Sequence, residues 1–205
     1  MIAYNEQSLD RLAINEEAAT ARRGRLISEE EYKAVLNTYK PGLYSPNIFI
    51  RIGLFILTVV IVIMSFGFLF LIAGAASSND IFLFIMTLML GVAILMGLEW
   101  IVRTKKHYRS GVDDALLWLA LITVVTDIGV YFELSELNTS ILIFLLSLAA
   151  AIRYVNSVMT AVMFCSFIAI IYYGMTGSGA IAKSILPFVV MLTGLVICLL
   201  AMKIP

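Results

Sequence analysis

Between residues 49 and 202 the chain runs through six stretches of nearly uninterrupted apolar residues, and nothing else in it restricts the fold so tightly. The hydrocarbon core of a bilayer is about 30 Å thick and takes about 20 helical residues to cross. The runs cover residues 49–73, 81–102, 115–134, 140–154, 158–175 and 185–202, the fourth being the shortest. Hydrocarbon offers the backbone no water, so each run must close its own hydrogen bonds as a helix. A soluble core could not bury the 61% of hydrophobic residues in these 205, against only 14% charged. The expected fold is all-α: a polytopic membrane helix bundle of six transmembrane helices over residues 46–205. A short amphipathic helical hairpin over residues 1–45 precedes it.

The hairpin is read from local signals. Leu9, Leu12, Ala13, Glu16 and Ala19 set a narrow, weak apolar face on a first helix over residues 5–23. Arg22 and Arg23 suit its negative end, and Gly24 is the residue expected just past it. In Ile27-Ser28-Glu29-Glu30-Glu31-Tyr32, Ser28 can cap a second helix and Glu31 can reach back to complete a capping box. Ile27 and Tyr32 are spaced as a hydrophobic staple, and Pro41-Gly42 stops the helix. Two short helices with so little apolar surface need a docking partner. The hairpin is therefore expected to dock against the membrane bundle or against another copy, with a homo-oligomer or a membrane-protein partner formed through residues 5–40.

On the run Gly24-Arg25-Leu26-Ile27-Ser28-Glu29-Glu30-Glu31-Tyr32, followed by a multi-helix membrane region, the chain resembles a family of predicted bacterial multi-pass membrane proteins classed as a domain of unknown function. The same run also resembles short oligomerisation motifs of other membrane proteins. The resemblance implies a cytosolic hairpin before a membrane bundle, and carries no activity or site residues to transfer.

Orientation follows from lysine and arginine in the short loops. If every run crosses, all but Lys183 of the 14 basic residues fall on one side, before the first span, between the second and third, between the fourth and fifth, and after the sixth. That side is expected to be the cytoplasm, with both termini there, as for a bacterial inner-membrane protein. The chain opens with polar residues of mixed charge, so the first apolar helix is expected to act as its own insertion signal. Tyr44, Trp100 and Tyr154 stand at expected inner boundaries, and Tyr131, Phe132, Tyr172 and Tyr173 near outer ones. The short fourth run would span by letting Arg153 snorkel, or by thinning the bilayer. A re-entrant segment there would mark a transporter site but spoil the charge alternation.

The candidate intramembrane polar site is Asp127, with Thr123 and Glu99. A carboxylate within hydrocarbon costs about 3 kcal/mol on insertion scales, so it pairs, faces the bundle interior or serves a function. The helix stripe Asp113-Leu116-Ala120-Thr123-Asp127-Tyr131 collects small and polar residues and is the face expected to turn inward. Glu99 stands one turn before Arg103, in the favourable order for an ion pair, and shares its face with Gly91 and Leu95. Asp113 and Asp114 complement the positive end of the third helix and could face Lys105, Lys106 or Arg109 across the loop. Ser147 and Ala151 form a small-residue packing signal, while Cys165 and Cys198 read as free, buried thiols.

His107 stands alone, so no metal constellation is expected, and no cofactor-binding fingerprint or nucleophile elbow occurs. Zero net charge gives no footprint for nucleic acid. Enzyme chemistry is not expected. Two function classes stay open: a non-enzymatic membrane scaffold or assembly subunit acting through the hairpin, and a small ion- or proton-coupled solute transporter or channel using Asp127.

Overall fold

The computed structural model describes residues 6–40, 46–76, 79–105, 108, 110–176 and 180–203. Among them every regular element is an α-helix: α1 (Glu6–Arg23), α2 (Glu29–Thr38), α3 (Ile48–Ala76), α4 (Asp80–Lys105), α5 (Val112–Tyr131), α6 (Glu136–Tyr154), α7 (Ser157–Thr176) and α8 (Ala180–Lys203). Pro41-Gly42, Tyr44, the Ser77-Ser78 turn, Lys106, His107 and Arg109 lie outside the described residues, as do the side chains of Lys105, Lys183 and Cys198. The chain divides into two compact units, Met1–Ala120 and Leu121–Pro205.

The first unit opens with the expected hairpin. Ser28 Oγ accepts from the Glu31 N–H at 3.2 Å, and the Ser28 N–H donates to Glu31 Oε2 at 2.7 Å, so the capping box is complete. Gly24 stands just past the end of α1, as expected, while the left-handed conformation falls on the next residue, Arg25, at φ 57°. The Leu26 N–H reaches Ala21 O and the Arg25 N–H reaches Arg22 O, the paired bonds of a Schellman motif with Gly24 one place inside it. The helices run antiparallel and are tied at both ends. Asn15 Nδ2 and Arg11 Nη1 donate to the carbonyls of Tyr39 and Lys40 past the end of α2. At the other end Arg22 pairs with Glu29 and lies 4.7 Å from the centre of the Tyr32 ring.

Among the described residues five helices, α3 to α7, are long and apolar enough to cross a bilayer. The sixth expected span falls on α8, where the described apolar stretch is Ser184–Leu195. Serine and threonine hydroxyls along the spans donate back to carbonyls of their own helix. Thr58, Ser65, Thr87, Ser140 and Thr193 do so at 2.8 to 2.9 Å. That is how a hydroxyl is satisfied where no water is present. Large apolar side chains, among them Phe49, Met64, Phe68, Leu71 and Phe188, are strongly exposed, as expected of surfaces solvated by lipid.

Two span boundaries need correction. The third span starts at Val112 and stops at Tyr131, three residues before the expected Leu134. There Glu133 adopts φ 47°, with the Leu134 N–H on Gly129 O and the Glu133 N–H on Val130 O. This is a second Schellman closure without glycine at the left-handed position. The fourth span is longer than expected, 19 residues, because Ser135 Oγ caps the polar turn Glu136-Leu137-Asn138 that precedes the apolar run. At about 1.5 Å per residue it approaches the core thickness without a break.

In the second unit α6 and α7 form an antiparallel pair and α7 packs on α8. Val155, at φ 49°, turns the chain, and Asn156 Oδ1 caps α7 by accepting the N–H groups of Val158 and Met159. The seam holds Ser140, Ser147, Met159 and Ser166, all buried, and the Phe144 and Phe167 rings meet 5.8 Å apart. Ser147 behaves as expected of a packing position, since small residues let backbones approach where hydrophobic burial drives nothing. Cys165 is free but exposed on α7, correcting the expectation of a buried thiol. The turn of about 100° per residue on a helix leaves its neighbour Ser166 in the buried position.

The capping box yields a pH prediction. The Ser28 N–H, and then its hydroxyl, hold the fully exposed Glu31 carboxyl below its ordinary 4.5. A depressed folded-state value means the stabilisation is present above the unfolded value and is lost as pH falls through the folded one. Amide shifts of Ser28 and Glu31 in the detergent-solubilised chain should collapse toward coil positions over that acid range. Glu31→Gln, which keeps the acceptor without the charge, should remove this acid transition. Arg25→Gly should raise hydrogen-exchange protection of the hairpin by about 1 kcal/mol.

Candidate functional site

The most constrained polar cluster in the first unit joins the first turns of α3 and α5. Asn47 starts α3: its Oδ1 accepts the Ile50 N–H at 3.0 Å and its carbonyl accepts the Arg51 N–H. This fixes Arg51 in the opening turn. Its Nη2 and Nε donate to Asp114 Oδ2 at 2.6 and 3.2 Å, across 63 residues of sequence. The Arg51 side chain is 35% exposed and that of Asp114 only 12%, so the carboxylate is the buried member.

The turn before α5 is shaped around the same contact. Ser110 is fully buried, and its N–H and Oγ both donate to Asp113 Oδ1, at 2.8 and 3.0 Å. Gly111 adopts φ 93°, and a Cβ built on it would overlap the Arg51 carbonyl oxygen and fall 3.1 Å from the Phe55 nitrogen. Only glycine fits, on both conformation and space. The backbone of this turn therefore sits directly on the backbone of α3. Tyr108, Ala115, Leu116 and Leu117 are buried around the turn.

This site adds to the sequence reading. Asp113 and Asp114 stand in the first turn of α5, where acids answer the helix dipole as expected; beyond that, Asp113 accepts from Ser110 and Asp114 pairs with Arg51, while Lys106 and Arg109 lie outside the described residues. The pairing had a sequence signal. Charge alternation puts the entries of the first and third spans on the same side, so opposite charges in their first turns lie at matching depth.

The expected polar site is distributed differently. Glu99 Oε1 accepts from Arg103 Nε at 2.7 Å within α4, the ion pair its spacing implied. Gly91 is buried as expected while Leu95 is exposed, so the buried stripe of α4 runs Gly91, Ile94, Leu98, Val102 and leaves Glu99 at its edge. On α5 the stripe holds over its first half, with Asp113, Leu116 and Ala120 buried. Asp127 and Thr123 belong to the second unit and are half-buried, and Asp127 Oδ2 is shielded from solvent. Glu99 and Asp127 thus stand in separate units. Among the described residues no cluster of His, Cys, Asp and Glu has metal-binding geometry.

Gly111→Ala should destabilise the chain by about 2–4 kcal/mol through the positive φ and the clash with α3. Asp114→Asn, which keeps shape and loses charge, should cost about 1–3 kcal/mol. Thermal melts in one detergent would rank the two, and Asp80→Asn, in an exposed first turn, should leave the melt unchanged. Compared with protein-family models, curated proteins and solved structures, the chain matches none.

Proposed function

We propose that this integral membrane protein is a non-enzymatic scaffold or assembly subunit of a bacterial inner membrane, working through its N-terminal hairpin. The supporting observation is the hairpin itself. Side-chain bonds tie it at both ends, yet Ala18 is its one buried apolar residue among those described. Ile14, Leu26 and Tyr39 remain exposed. A preformed, barely buried helix pair is suited to cover and be covered by a second surface. The basic residues of the loops support a cytoplasmic position for it and for both termini.

A second reading, an ion- or proton-coupled transporter or channel, draws on Asp127, whose Oδ2 is shielded within a span. Thr123 lies one turn away on the same helix, and Glu99 would serve only if released from Arg103.

Two measurements on the full chain separate the readings. Native mass in mild detergent should give an oligomer that dissociates when Ile14→Ser and Leu26→Ser are combined; a monomer at all concentrations contradicts self-assembly. Reconstituted vesicles should show no proton or sodium flux above empty controls. Flux that Asp127→Asn abolishes, with an unchanged melt, would select the transporter instead.

A further inference from the structure

Arg51 has more hydrogen-bonding capacity than Asp114 uses. The guanidinium presents two donor edges, and the pair engages the side-on edge formed by Nε and Nη2. The end-on edge, Nη1 with the second proton of Nη2, takes no part in it. Arg51 stands in the first turn of a helix whose apolar span begins at Ile48. Its neighbours Ile48, Phe49 and Ile52 are 64%, 81% and 52% exposed, so the surface around it is fit for acyl chains more than for water. With α3 spanning the hydrocarbon core, a one-third exposed guanidinium in its first turn would lie at the level of the headgroups. Asp114, itself held in a turn seated on α3, fixes the plane of the fork and so removes much of the ordering cost of a second ligand.

We propose that the end-on edge of Arg51 binds the phosphate of a phospholipid headgroup, with Asp114 as the residue that positions it. Bidentate recognition by arginine fits a phosphodiester, which carries one negative charge and two equivalent acceptor oxygens. The lipid would dock beside Ile48 and Ile52, with its chains along the exposed face of α3. The inference requires only a membrane-spanning α3 and stands whether the protein is a scaffold or a transporter.

The test is native mass spectrometry of the delipidated full chain titrated with phosphatidylglycerol, and with a diglucosyl lipid of the same acyl chains that lacks phosphate. The wild type should hold one phosphatidylglycerol tightly and the glycolipid poorly. Arg51→Lys keeps a charge for Asp114 but has no fork, and should weaken that lipid about tenfold with little change in the melt. Arg51→Gln should lose it altogether; if that variant does not fold, Arg51→Lys decides. Inorganic phosphate at equal concentration should not displace the lipid. Equal retention by wild type and Arg51→Lys, equal binding of the glycolipid, or displacement by inorganic phosphate would each overturn the proposal.

Discussion

The contact of the Gly111 turn with the backbone of α3 is the constraint on which the first unit depends. A helix in hydrocarbon gains little from burying apolar side chains, because lipid solvates them as well as protein does. Position must come from close backbone approach and from polar pairs that have nowhere else to go. Gly111 supplies the first and Arg51–Asp114 the second, at one point on α3. Because the turn that opens α5 rests on the turn that opens α3, the chain has returned by Gly111 to the level at which it entered. That return supports a two-span excursion by α3 and α4, independently of any count of basic residues.

The second unit solves the same problem with different chemistry. Its α6–α7 seam is built on serines whose hydroxyls are bonded to their own helices, so each presents a small, satisfied surface to its neighbour. Nothing in that seam requires a charge. Both solutions keep polar atoms bonded within protein, which is the demand lipid makes on any chain crossing it.

Much of this was legible in the sequence because it is local. The Ser28–Glu31 capping box, the Glu99–Arg103 pair and the packing role of Ser147 each rest on residues within four positions, where helix geometry fixes the neighbours. The helix ends were less legible. Gly24 follows α1 as expected, yet the left-handed conformation falls on Arg25, and on Glu133 after α5, because the two closing hydrogen bonds offset the cost of a side chain at positive φ. The apolar run of the fourth span hid four helical residues, Glu136 to Thr139, since hydropathy does not register a polar first turn behind a serine cap. Least legible was Asp114. Its partner lies 63 residues away, and intervening cations closer in sequence offered a simpler assignment. The face of α5 was right near its start and weaker toward Asp127, because burial there depends on neighbours that periodicity on one helix does not specify.

Side-specific labelling tests the return to the entry level most directly. In a chain carrying Cys165→Ser and Cys198→Ser, single cysteines would be placed as Asn37→Cys on α2, Thr104→Cys at the end of α4 and Glu133→Cys past the end of α5. A membrane-impermeant thiol reagent should reach positions 37 and 104 from one face of sealed vesicles and position 133 only from the other. Labelling of 37 and 104 from opposite faces would contradict the junction and the helix order built upon it.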